Sequence, residues 1–179
     1  PNAIKRLTTY NPERPLPKIF RLVKDNSLIE GVYQGETLNT PSMFCVADAL
    51  DSLLWIKELG GLTETIRRSN ENFECLQGWV DQRSWIENLV SDPGNRSNTS
   101  VCLKFSDQRF VALNQDQKNH FVKEFVGLLE AEKAAFDIKG HRNAPPGLRI
   151  WCGATIDLDD IKKLLPWLDW CFYEIISSY

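Results

Sequence analysis

The chain has 179 residues, 42% of them apolar, enough to bury a real core in one domain or in one domain plus part of another. Its 21 basic and 24 acidic residues give a net charge of -3 with no lysine–arginine block, which disfavours broad electrostatic binding to nucleic acid. No stretch approaches the roughly eighteen consecutive apolar residues of a membrane span and no secretory leader is evident, so the expectation is a cytoplasmic protein with neither membrane nor nucleic-acid partner.

The opening stretch "PNAIKRLTTYNPERPLPK" has little apolar surface and reads as the tail of something upstream, with Pro1 an unnatural initiator. "KIFRLV" (18–23) and "LIEGVYQG" (28–35) have the β-branched and aromatic content of two short strands about a turn at Asp25-Asn26-Ser27. Thr40 then Pro41 form an N-cap and first-position pair. Beyond them Met43, Val46, Ala47, Leu50, Leu53 and Leu54 recur at helical spacing until Gly60-Gly61. A second helix is predicted over about 62–84, a strand at 86–90, and a tight turn at "SDPGN".

In 99–107, Val101, Leu103 and Phe105 alternate with Cys102 and Lys104, the period of a strand with one buried face. A helix near 115–132 places Phe121, Phe125 and Leu128 on one side, and "AFDIKG" and "LRIWCG" read as further short strands. The last stretch, from Asp157, is helical by period through Ile161, Leu164, Leu165, Leu168, Phe172 and Ile175. Asp157 and Asp160 resemble a capping box, and Pro166 is expected to kink or restart the helix. Strands alternating with helices predict an α/β or α+β domain, a mixed sheet covered by helices.

The five cysteines, at 45, 75, 102, 152 and 171, include no C-x-x-C pair and read as buried reduced thiols. With only His120 and His141 available, no metal site is expected. The sequons at Asn95 and Asn98 read as a polar loop, and the six tryptophans as core packing and partial burial.

Chemistry concentrates in "GHRNAPPGLR", 140–149. His141 and Arg142 are adjacent between two predicted strands, Pro145-Pro146 stiffens the loop, and Arg149 opens the next strand. Arginine offers a planar fork to a carboxylate or phosphate, and histidine can donate to an anion or carry charge beside it. A small molecule bearing both groups suits the set, although a solvated basic loop would look the same. Asn39-Thr40-Pro41 before a helix is a second anion-compatible feature, or an ordinary cap. There is no Gly-rich phosphate loop and no Ser-His-Asp arrangement.

Taken together, "GETLNTPSMFCVADALDSLLWIKELGG", "RSNTSVCLKFSD" and "KGHRNAPPGLRIWCGATIDLDDIKKLLPWLDW" resemble, in order and spacing, the C-terminal part of phosphoserine aminotransferase in the form found in certain bacteria and archaea. The resemblance implies a class V, fold-type I enzyme that uses pyridoxal phosphate and works as a homodimer. Such an enzyme exchanges an amino group between phosphoserine with 2-oxoglutarate and 3-phosphohydroxypyruvate with glutamate, in serine biosynthesis. It implies that Asn39 and Thr40 reach the cofactor phosphate of the neighbouring subunit, that His141 and Arg142 receive the substrate phosphate, and that Arg149 clamps the α-carboxylate. It also implies that residues 1–40 trail from the large cofactor-binding domain and that 41–179 form the small C-terminal domain, opened by a long helix. None of the lysines fits the family's Schiff-base motif, so that lysine is expected upstream and the segment alone is expected to be inactive. A non-catalytic module that binds a phosphorylated metabolite or a partner protein is the alternative.

Overall fold

The computed structural model describes residues 2–10 and 13–179; Pro1 and the Asn11-Pro12 step of the predicted trailing segment lie outside the described residues. The chain forms two compact units, 1–55 and 56–179. Among the described residues no helix is long and apolar enough to cross a membrane.

In the first unit, helix α1 (Asn2–Thr9) is followed by a 3-10 turn (Lys18–Phe20) and a hairpin of β1 (Val23–Lys24) and β2 (Ser27–Leu28). Asp25 and Asn26 both adopt left-handed φ, 51° and 59°, the two-residue turn that matches strand twist. The predicted strands over 18–23 and 28–35 shrink to these two-residue ladders. Residues 30–33 instead form a helical turn, α2 (Glu30–Tyr33), closed by Gln34 and Glu36 N–H groups on the Gly31 carbonyl at 3.0 and 2.8 Å. Among the described residues no strand pairs with their backbone, so local bonds override β propensity.

Helix α3 (Met43–Leu59) starts later than predicted. Ser42, not Thr40, precedes its first residue, with the Ser42 hydroxyl accepting from Cys45 N–H at 3.4 Å. None of its residues is buried, so its apolar positions do not contribute to a core in this chain. Gly60 and Gly61, at φ 121° and 77°, break it from α4 (Gly61–Val80), which ends before the predicted 84.

The second unit is built on an antiparallel sheet in the order β3 (Ile86–Asn88), β4 (Ser100–Phe105), β5 (Gly147–Trp151). Leu148 pairs with Leu103 and Ile150 with Val101 on the buried face, while Arg149 pairs with Cys102 and Trp151 with Ser100 on the other. α6 (Gln115–Ala131) and α7 (Leu158–Ile176) bring Phe121, Phe125 and Phe172 to the buried face, and α4 adds Leu76 and Trp79. Trp85 is the hub of this core, stacked on Phe172 at 4.2 Å and on Phe105 at 6.0 Å, and edge-on to Trp79 at 5.5 Å. The chain thus combines helices and sheet, as predicted, with helices over sheet in the second unit and every described strand pair antiparallel.

Several local expectations change. A short helix, α5 (Gln108–Ala112), precedes α6, and α6 carries a capping box, Asn114 with Gln117, that the hydrophobic pattern does not reveal. "AFDIKG" is no strand: it contributes a single bridge, Lys139 to Leu148. Asp157 precedes α7 without capping it through its side chain, because its carboxylate accepts from the Arg68 guanidinium instead. α7 runs unbroken through Pro166. Only Cys152 and Cys171 are buried, their thiols pushed up to about 12 by burial, while Cys45 is exposed. Only Trp79 and Trp85 are core; Trp55, Trp151, Trp167 and Trp170 are exposed.

A half-buried ion pair ties α7 to α4. Arg83 donates to Asp169 at 2.8 and 2.6 Å, and the Trp79 indole N–H adds a third bond at 3.0 Å. Burial alone raises the Asp169 carboxyl, but these donors outweigh it and hold the group below its ordinary 3.8. A depressed carboxyl stabilises the fold above its unfolded pKa, and that contribution is lost as pH falls through the folded value. Asp169→Asn is therefore expected to cost about 1–2 kcal/mol at neutral pH. In urea unfolding as a function of pH, that difference from wild type should close below about pH 4; a difference constant down to pH 2 would contradict the assignment.

Candidate functional site

Arg149 stands on the open face of the sheet, and His141 and Arg142 lie in the loop that leads into β5. Residues 138–140 run along β5: Arg149 N–H donates to the Ile138 carbonyl at 2.8 Å and Gly140 N–H to the Gly147 carbonyl at 3.0 Å. These bonds close the loop that carries His141 and Arg142. Within it, Ala144 N–H donates to the His141 carbonyl at 2.8 Å, and Asn143 N–H donates to His141 Nδ1 at 3.2 Å. With Nδ1 occupied as an acceptor, the neutral ring carries its proton on Nε2 and can donate from there.

His141 and Arg142 are both exposed and line one concavity of about 340 Å3 with Asn119 from α6, Lys139 and the Pro145-Pro146 step. No carboxylate lines it among the described residues, so its field is positive. Lys139 and Asn119 were not singled out by sequence. Lys139 falls inside the K-G-H-R motif and could have been. Asn119 lies on a helix about twenty residues earlier, and only the fold brings it there.

Arg149 lies elsewhere, in a separate concavity of about 410 Å3 lined also by Ser100, Phe136, Asp137, Ile138 and Trp151. Strand alternation explains this: Leu148 and Ile150 take the core face, so Arg149 and Trp151 must take the open one. Arg149 is 39% exposed, and Asp137, 91% exposed and at φ 53°, approaches its guanidinium only to 3.7 Å. So loose a pair leaves the fork able to accept an incoming carboxylate. The structure thus joins His141 with Arg142 and sets Arg149 in a second concavity that shares no lining residue with the first, Ile138 lining one and the adjoining Lys139 the other.

Asn39 and Thr40 belong to the first unit. Both are exposed; Asn39 ends a bend and Thr40 stands three residues before α3 begins. The Asn39 amide, the Thr40 hydroxyl and the backbone N–H groups there are donors, the chemistry an anionic phosphate requires.

The loop after β5 is held from α4. The Asn72 side chain, buried, donates to the Ile156 carbonyl at 2.9 Å, and Arg68 Nε donates to the Ala154 carbonyl at 2.9 Å. These contacts span more than eighty positions and have no local signature. The first unit has a larger concavity, about 670 Å3, but it combines Arg21 with Glu13 and Asp25. Arg21 Nε is already donated to the Leu16 carbonyl at 2.6 Å, so no cationic set converges there.

Comparison with known proteins follows the same lines. No protein-family model matches the chain. The phosphoserine aminotransferase of Methanosarcina mazei is 43% identical over 177 residues, which cover 99% of this chain and 45% of that protein. Among solved structures, the phosphoserine aminotransferase from Bacillus circulans subsp. alkalophilus superposes with a TM-score of 0.64 over 80% of this chain and 36% of its own, at 23% identity. The PLP-bound phosphoserine aminotransferase from Trichomonas vaginalis gives 0.63 over 77% and 36%, at 22% identity. The chain spans less than half the length of the relatives it matches. Along that span the chain is similar, in sequence over nearly all its residues and in fold, to part of phosphoserine aminotransferase.

Proposed function

We propose that this chain is the C-terminal, substrate-recognising part of a pyridoxal-phosphate-dependent phosphoserine:2-oxoglutarate aminotransferase of serine biosynthesis. His141 and Arg142 receive the phosphate and Arg149 the α-carboxylate. The observation that carries the reading is the pairing of an acid-free cationic concavity with a separate guanidinium fork seven residues on, in a chain so similar to a phosphoserine aminotransferase. Phosphoserine has a dianion at one end and a carboxylate at the other, and an orienting site needs a cationic contact for each.

In this reading the His141 Nε2–H and the Arg142 fork hold the phosphate, with Lys139 adding charge at the rim. Arg149 fixes the carboxylate, and the two contacts together set the direction of the Cα–H bond. Glutamate and 2-oxoglutarate use the same Arg149 contact and offer only a singly charged side-chain carboxylate to the phosphate site. The Asn39 and Thr40 donors suit the cofactor phosphate of a neighbouring subunit, in a cytoplasmic homodimer. Pyridoxal phosphate, when bound, supplies the electron sink that eases loss of the Cα proton. Residues 1–40 are then the last part of the large domain and 41–179 the small one. The 179 residues alone catalyse nothing, the lysine that holds the cofactor lying outside them.

The test uses the full-length enzyme. Arg142→Ala and His141→Ala are each expected to lower kcat/KM for phosphoserine by about 10- to 100-fold, the worth of a charge-assisted bond. The loss for glutamate should be several-fold smaller, because its side chain brings one charge rather than two. Equal losses for the two substrates would refute the phosphate assignment.

A further inference from the structure

Resting on the reading of Arg149 as the carboxylate clamp, we infer that Trp151 forms a substrate-contacting wall of that pocket, pinned in place by Gly153 and Thr155. Trp151 ends β5, two residues beyond Arg149 on the same open face, and lines the same concavity. It is 52% exposed, so core packing does not account for its position. Yet it is tethered. Its indole Nε1–H donates to Thr155 Oγ1 at 3.0 Å. A Cβ added at Gly153 would stand 2.6 Å from its Cε2 and 2.9 Å from its Nε1, so the ring lies directly on that glycine.

Gly153 is not among the glycines with positive φ, and its backbone would tolerate other residues. What glycine provides there is room for the indole. The tether is itself anchored, because the loop 152–157 is fixed by Asn72 and Arg68 from α4. An exposed aromatic ring held by a hydrogen bond, a glycine seat and a locked loop is a preorganised surface. Beside a guanidinium fork, such a surface keeps water from one side of the ion pair and strengthens it. The ligand it fits is the α-carboxylate and Cα end of an amino acid, whichever side chain follows, so Trp151 acts on phosphoserine and glutamate alike.

In the cofactor-loaded full-length enzyme, Trp151→Ala is expected to raise KM for both amino-acid substrates about tenfold, with a smaller change in kcat, and Trp151→Phe should recover most of the loss. Gly153→Ala should displace the ring and raise KM comparably, and in combination with Trp151→Ala should add nothing further, since both remove one device. A readout independent of turnover is the 19F resonance of 5-fluorotryptophan at this position, identified by its absence in Trp151→Phe. It should shift on adding phosphoserine and stay fixed on adding phosphoethanolamine, which keeps the phosphate and amine but lacks the carboxylate. That measurement decides the matter even if the alanine variants fold poorly. If Arg149→Ala raises KM while Trp151→Ala does not, or if the resonance ignores phosphoserine, the wall is refuted. If Arg149→Ala has no effect on KM, it is the underlying carboxylate reading that fails.

Discussion

Arg149→Ala in the full-length enzyme is expected to lower kcat/KM for phosphoserine and for glutamate by a common factor of roughly 30- to 1000-fold, the scale of about 2–4 kcal/mol for one lost partner of a hydrogen-bonded ion pair. The common factor follows from what the two substrates share: both present an α-carboxylate, and Arg149 presents a planar fork from the open sheet face. Arg149→Lys should recover only part of the loss, since an ammonium keeps the charge but not the two parallel bonds. The native competitor is weak, because Asp137 stands 3.7 Å away and is 91% exposed. Steady-state kinetics with each substrate in turn checks the result; a loss confined to phosphoserine would mean that Arg149 serves the phosphate and the assignments are exchanged.

The second large effect concerns stability and the site together. Gly147 is buried at the start of β5, and a Cβ there would overlap the Leu103 carbonyl oxygen and stand 3.4 Å from the Lys104 Cα. These are backbone atoms of the central strand and cannot move aside without opening the β4–β5 ladder. Gly147→Ala is therefore expected to cost about 3 kcal/mol, the upper part of the overpacking range, and to lower Tm by roughly 6–12 °C. Gly147 also accepts the Gly140 N–H that closes the His141–Arg142 loop, so the KM for phosphoserine should rise in whatever protein remains folded. Gly140→Ala is the control: its Cβ would meet the Gly147 carbonyl oxygen at 3.2 Å, a distance that a small shift relieves. Thermal unfolding with both variants equally stable would contradict this account of the β4–β5 packing.

Much of the second unit was legible from periodicity. β4 alternates Val101, Leu103 and Phe105 with polar neighbours, and α7 repeats Ile161, Leu168, Phe172 and Ile175, because each buries one face and period reports burial. Residues 30–35 misled because β-branched content indicates a strand only where a partner exists, and among the described residues none pairs with them. At the start of α3 the Thr40-Pro41 pair predicted the cap, and the hydroxyl of Ser42, directly before the helix, takes that place instead.

The site divides the same way. His141 and Arg142 meet because they are neighbours in sequence, and the separate placement of Arg149 follows from the alternation that buries Leu148 and Ile150. Trp151 could have been assigned to the open face by the same alternation rather than grouped with the core tryptophans. Asn119, Asn72 and Arg68 could not have been found, because their partners are distant in sequence and meet them only through the packing of helices on the sheet.

The central claim is that two separate concavities read the two ends of one small molecule, and the most direct test deletes each end of the ligand in turn. The dissociation constants of phosphoserine, serine and phosphoethanolamine would be measured on the full-length enzyme and on its Arg142→Ala and Arg149→Ala variants. The account predicts that the Arg142→Ala penalty, present with phosphoserine, vanishes with serine, and that the Arg149→Ala penalty vanishes with phosphoethanolamine. Penalties that persist after the matching group has been removed from the ligand would contradict it.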